Sequence, residues 1–79
     1  MSSEHLLLLE ESERNEKWFR DHYDELVERF DGEHVAVYGG NVADHDRDLA
    51  SLVGRVKGRC PLRLTLFKYV SKEKLVFLL

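Results

Sequence analysis

Val35-Ala36-Val37-Tyr38-Gly39-Gly40-Asn41-Val42-Ala43 is the stretch that decides how this chain folds. Two short β-type runs flank a Gly-Gly pair, and glycine tolerates the positive φ angles that a two-residue hairpin turn demands. A strongly amphipathic segment precedes this hairpin and a second one follows it, so the hairpin is the pivot of a compact α/β arrangement. No catalytic constellation, complete metal-ligand set or phosphate loop lies on it. The stretch speaks for fold and not for a reaction.

Upstream, Trp18, Phe19, His22, Tyr23, Leu26, Val27 and Phe30 recur at spacings of one, three and four, which makes one wide apolar helical stripe. Glu13, Lys17, Arg20, Asp24, Glu28 and Asp31 fall largely on the opposite side. Ser12 is a competent N-cap, and Gly32 is a stop where positive φ costs nothing. The helix is therefore predicted to begin near Ser12. Leu6–Leu9 shows no period that separates helix from strand, and residues 1–11 read as an N-terminal arm.

Strand 1 is predicted over His34–Tyr38, with Val35 and Val37 on one face and His34, Ala36 and Tyr38 on the other. Strand 2 returns over Asn41–Asp44. A second helix opens within Asp44–Asp48, whose acids suit a cap, and Leu49, Leu52, Val53 and Val56 form its apolar stripe. Gly58 and Pro61 end it. Leu62, Leu64 and Leu66 then alternate with Arg63, Thr65 and Phe67 as a third strand, and Leu75–Leu79 suggests a fourth. The expected fold is a two-layer α+β sandwich in the order α-β-β-α-β(-β). Two helices would cover one face of a small, mainly antiparallel sheet through Val35, Val37, Leu62, Leu64 and Leu66, with residues 12–79 as a single domain.

Composition narrows the classes. Seventy-nine residues leave room for one domain with a marginal core, and Cys60 is the only cysteine, so no disulfide framework extends that core. A lone cysteine fits a reducing compartment, and Leu6–Leu9 has neither the length of a bilayer span nor the flanks of a signal peptide. A cytoplasmic location is expected. The net charge of −3 hides an asymmetry: residues 1–50 carry five Lys/Arg against fourteen Asp/Glu, while residues 51–79 carry seven against one. That pattern reads as a solvated acidic helix face, or as complementary charge that orients self-association.

Trp18-Phe19, Tyr23, Leu26, Gly32, Val35-Ala36-Val37, Gly40, Val42 and Asp48-Leu49 resemble a family of short bacterial and archaeal proteins, domain of unknown function 5678. Val70-Ser71-Lys72-Glu73 is similar to the V-P-K-E-like segment before that family's terminal strand. His34 departs from the aromatic expected before Val35, and His45-Asp46 stands where a glycine would precede the Asp-led helix. The resemblance implies a fold and a small-partner-protein character, and no reaction.

Chemistry-bearing residues are sparse. Asp44, Asp46 and Asp48 imitate the start of a calcium loop, but its sixth and twelfth positions would be Leu49 and Arg55. Helix capping explains the acids better. No His pair has the i, i+4 spacing of a helical metal site, and His22 lies on the packing stripe. Cys60 sits in a basic stretch with Arg55, Lys57, Arg59 and Arg63 but has no identifiable base. No catalytic, metal or cofactor role is expected for any residue. What remains is a surface: Tyr38, Arg63, Phe67 and Tyr69 would fall on a sheet face left bare by the helices, an aromatic and basic patch of the kind that marks interaction sites. The expected function is a non-enzymatic interaction or accessory module, homodimeric, with a protein partner of the operon-partner or antitoxin-like kind. The alternative is a single-stranded nucleic-acid-binding module on the same face.

Overall fold

The computed structural model describes residues 3–72, with side chains from residue 10 onward. Helix α1 spans Ser3–Asp21 and helix α2 Tyr23–Phe30. Strand β1 runs over Glu33–Tyr38 and β2 over Asn41–Asp46; helix α3 is Leu49–Val56 and strand β3 is Leu66–Val70. The sheet order is β2-β1-β3, with both neighbours antiparallel to β1. Gly39 and Gly40 have φ of 61° and 77°, so the two-residue turn forms as the Gly-Gly pair requires.

The amphipathic segment is helical from Ser3, well before Ser12. The run from Glu4 to Arg14 is mostly Leu and Glu, ends in Arg and has no glycine or proline, so strong helix formers carry the ladder through the polar stretch. Its one interruption is His22, with ψ of 11°. The His22 ring Nδ1 lies 2.9 Å from the Trp18 carbonyl that its own N–H already bonds, a side-chain competition that loosens a helix locally.

Alternation along β1 builds two cores. Val35 and Val37 meet Phe19, Leu26, Phe30 and Val70 under α1 and α2, with Trp18, Tyr23, Val42 and Leu66 at the margin. On the opposite face Ala36 meets Leu52 and Val56 of α3, with Cys60 and Phe67 packed alongside. The α+β class and the antiparallel sheet are present as expected, and two helices, α1 and α2, do share one face. The helix at Leu49–Val56, expected on the Val35/Val37 face, lies on the Ala36 face instead. Topology explains it: β2 and β3 both run against β1 and so parallel to each other, and their connection must cross β1 over one face. The other face is held by α1 and α2.

A register shift between Ala36 and Val37 sets Ala36 opposite Asp44 but Val37 opposite Val42, which leaves Ala43 as the extra residue of a β-bulge. Val42 and Asp44 therefore point to opposite faces although they are two apart. Val42 joins the larger core, and Asp44 and Asp46 turn toward α3.

The third strand is shorter than the Leu62–Leu64–Leu66 alternation predicts. Leu62–Leu64 is a single 3-10 turn, stapled by the Thr65 hydroxyl donating to the Pro61 carbonyl at 2.8 Å. The ladder reaches only Val37 opposite Leu66, because one residue later β1 enters its hairpin turn. Leu62–Leu64 has no strand to pair with, so Leu62 is exposed and Arg63 lies off the sheet. The Leu75–Leu79 strand lies outside the described residues.

Gly54 sits inside α3 with open space where a Cβ would be. Gly54→Ala is expected to stabilise the domain by about 0.5–1 kcal/mol, because the unfolded chain then has less backbone entropy to lose and the added Cβ meets no steric cost. For a chain this size that is a rise in Tm of roughly 2–8 °C, read from a thermal melt.

Candidate functional site

The direction of each α3 side chain follows from 100° per residue. Arg55 and Arg59 reach toward β2, Leu52 and Val56 point down at Ala36, and Leu49 and Val53 come next around the helix, on the side of β3. The contacts agree with that order. Arg55 Nε bonds Asp44 and Arg55 Nη1 bonds Asp46, each at 2.9 Å, and Arg59 Nη2 reaches Asp44 at 2.9 Å. The Asp44 carboxyl is held below its usual pKa, first by the hydrogen bond from Arg55. Asp46 is lowered first by the Asp48 backbone N–H and then by Arg55, and Asp48 by the Ser51 hydroxyl and N–H that it caps. The three acids that imitate a calcium loop are thus engaged in anchoring and capping α3.

The same arginines close the outer edge of β2. Arg55 donates to the His45 carbonyl at 3.1 Å, Arg59 to the Ala43 carbonyl at 3.4 Å, and the His45 N–H donates to Asp44 Oδ1 at 2.8 Å. A strand edge whose polar groups are taken by its own side chains is a poor template for another strand. Since His45 points its backbone away from β1, Val35 directs its own toward β3, and the Phe67 and Tyr69 backbones face outward at the far edge.

Of the four surface residues expected from the sequence, Phe67 and Tyr69 share the α3 face of β3. Phe67 is half-buried against Leu52 and Val56, and Tyr69 lies beside His34 with ring centroids 5.0 Å apart. Tyr38 is at the hairpin end of β1, where it lines a hollow with Leu64 and with Arg14 of α1, away from α3. Arg63 is on the 3-10 turn. The face is not bare, because α3 covers its β1 and β2 half. The β3 half is the less covered one among the described residues: by the helical order Leu49 and Val53 border it on the α3 side and Phe67 and Tyr69 lie along β3, an apolar strip or trough.

The residues missed from sequence are Leu49 and Leu62. With Tyr69 they are the large apolar side chains exposed among the described residues, at 42%, 41% and 53%. The signal was the width of the α3 stripe: four apolar positions span more of the helix than β1 alone can cover. A second groove, of about 470 Å³, lies between α2 and β2 along Trp18, Phe30, Val42 and His45. His45 there pairs with Glu33 at 2.8 Å and lies 4.5 Å from the Phe30 ring. Among the described residues no group of three His, Cys, Asp or Glu side chains is arranged to hold a metal ion, and no helix is long and apolar enough to cross a membrane.

Fold and surface together define a small α+β domain, a three-stranded antiparallel sheet with helices on both faces and an open apolar trough on one. Residues 25–73 match the model of DUF5678, a family of unknown function, and the chain belongs to that family. The match takes in α2 apart from its first two residues, the hairpin, α3 and β3, while Trp18-Phe19 and Tyr23 lie before it. No curated protein and no solved structure matches the chain.

Proposed function

We infer that this domain is a non-enzymatic protein-interaction module of the cytoplasm that acts as a self-associating unit. One observation carries the reading: Leu49 of α3, Leu62 of the 3-10 turn and Tyr69 on the α3 face of β3 are the large apolar side chains exposed among the described residues. Large apolar side chains gathered on one face mark a site of association, and aromatic residues are frequent anchors there. Arg55 and Arg59 take carbonyls on the outer edge of β2, which disfavours sheet extension on that side. A lone, half-buried Cys60 packed against the Ala36, Leu52 and Val56 core is consistent with a reducing compartment. The assignment as an operon-partner or antitoxin-like protein rests on size and on this surface alone.

Tyr69→Asp tests the reading. Tyr69 is exposed, so the monomer keeps its core while the trough gains a charge that must be desolvated on docking. In sedimentation equilibrium at micromolar concentration, the unaltered chain is expected at twice its own mass. The variant is expected to dissociate with a Kd at least about thirtyfold higher, the loss of a typical hot spot. A concentration-independent monomer for the unaltered chain overturns the reading. Salt-sensitive micromolar binding of single-stranded RNA that Phe67→Ala abolishes would assign the same face to nucleic acid instead.

A further inference from the structure

We propose that the groove between α2 and β2 binds a small zwitterion with a large apolar side chain, a free amino acid of the phenylalanine kind. Its floor is apolar. Trp18, Leu26, Phe30 and Val42 line it, and all four belong to the larger core or its margin. His22 stacks on the indole of Trp18 with centroids 4.4 Å apart, and Glu33 holds the His45 ring beside Phe30, so both aromatic walls are fixed before anything binds. The volume of about 470 Å³ falls within the roughly 300–1,000 Å³ of small-molecule sites.

The charges on the rim choose the ligand. Asp44 is committed to Arg55 and Arg59, and His45 to Glu33. Glu25 and Arg29 remain, both exposed, and neither makes an ion pair among the described residues. They stand one turn apart on α2, where side chains are neighbours, yet Arg29 lies over the Phe30 ring with Cζ 5.4 Å from its centroid. One acid and one base side by side above an apolar floor match the head of an amino acid. Its ammonium would donate to Glu25, its carboxylate would accept from Arg29, and its side chain would cover Phe30 and Val42. An anion alone would meet Glu25, and a cation alone would meet Arg29, so each is repelled by one rim charge. A residue inside a peptide carries neither charge on its backbone.

Trp18 is the one tryptophan of the chain, so its emission reports on this groove directly. Titrated L-phenylalanine is expected to shift that emission and the Val42 amide resonance with a single Kd, on the order of 1 mM. Phenylacetate lacks the ammonium and phenethylamine lacks the carboxylate, and each should bind at least about fivefold more weakly. Arg29→Gln should weaken phenylalanine by a similar factor while leaving phenethylamine no weaker. Glu25→Gln should do the same while leaving phenylacetate no weaker. Lys57→Gln, outside the groove, should change nothing. Circular dichroism confirms that each variant is folded, and sedimentation reads assembly separately, so failure here leaves the self-association reading standing. The proposal is overturned if neither signal moves at roughly tenfold the expected Kd, if the three probes bind alike, or if both groove variants bind phenylalanine as the unaltered chain does.

Discussion

Leu52→Ala is expected to cost about 2–5 kcal/mol, a large share of the roughly 4–12 kcal/mol that a domain of this length holds in total. The size of the effect follows from how few residues make the core beneath α3. Leu52, Val56 and Ala36 are its fully buried members, and Leu52 is the largest of them. The helix is otherwise tied to the sheet by Arg55 and Arg59, whose side chains are about half exposed and whose ion pairs add little. α3 should therefore open before the Val35/Val37 core does. Urea unfolding gives the global loss, and amide exchange separates the two units: protection in Leu49–Val56 should fall further than protection in β1. Equal loss in both would mean that the sheet and its two helix layers unfold as one unit and that α3 is not a separable element.

The hairpin, the helical stripe ahead of it and the α3 stripe were legible because each is a local pattern with a local cause. Gly39-Gly40 satisfies its own turn, and the Trp18-to-Phe30 stripe has one period throughout. The misreadings share a different cause. Which face α3 takes is decided by the parallel relation of β2 and β3, a property of pairing that no window of sequence contains. Leu62–Leu64 alternates as well as a strand does, and it fails to be one because β1 runs only one residue past the Val37–Leu66 pair before its hairpin turn. The bulge at Ala43 makes Val42 and Asp44 face apart, which period-2 reading of Asn41–Asp46 cannot show. Phe67 and Tyr69 share a face as read because β3 does alternate there, but Tyr69 is exposed and Phe67 half-buried against the α3 core. Leu49 was missed as surface because an apolar helix position reads as core until the width of the sheet beneath it is known.

Asn15→Asp is expected to be as damaging at neutral pH as the loss of Leu52, by about 3–5 kcal/mol, and to recover as pH falls. Asn15 is buried in α1, and its amide donates to the Leu64 carbonyl at 2.9 Å, which ties the helix to the 3-10 turn before β3. Its Oδ1 has no hydrogen-bond partner among the described residues. An aspartate there would place an unpaired carboxylate where neither water nor a cation reaches it, and would lose the donor that Leu64 needs. Burial raises the pKa of such a carboxyl in the folded state above its unfolded value. The penalty is then present in full above the folded pKa and fades as the group protonates below it, so stability rises as pH drops from 7 toward 5. The native Asp44, Asp46 and Asp48 behave in the opposite sense. Their pKa values are lowered, so their contribution is present above the usual carboxylate range and is lost only as pH falls below about 3.8. Between pH 7 and 5 the unaltered chain should therefore hold its stability while the variant gains, and urea midpoints at the two pH values read the difference. Asn15→Leu separates charge from size: it removes the orphaned oxygen and stays apolar, so it should cost far less than the aspartate and show no recovery with acid. If the aspartate variant is as stable as the native chain at pH 7, Asn15 is not sealed from water, and the contact between α1 and the Leu62–Leu64 turn is open to solvent.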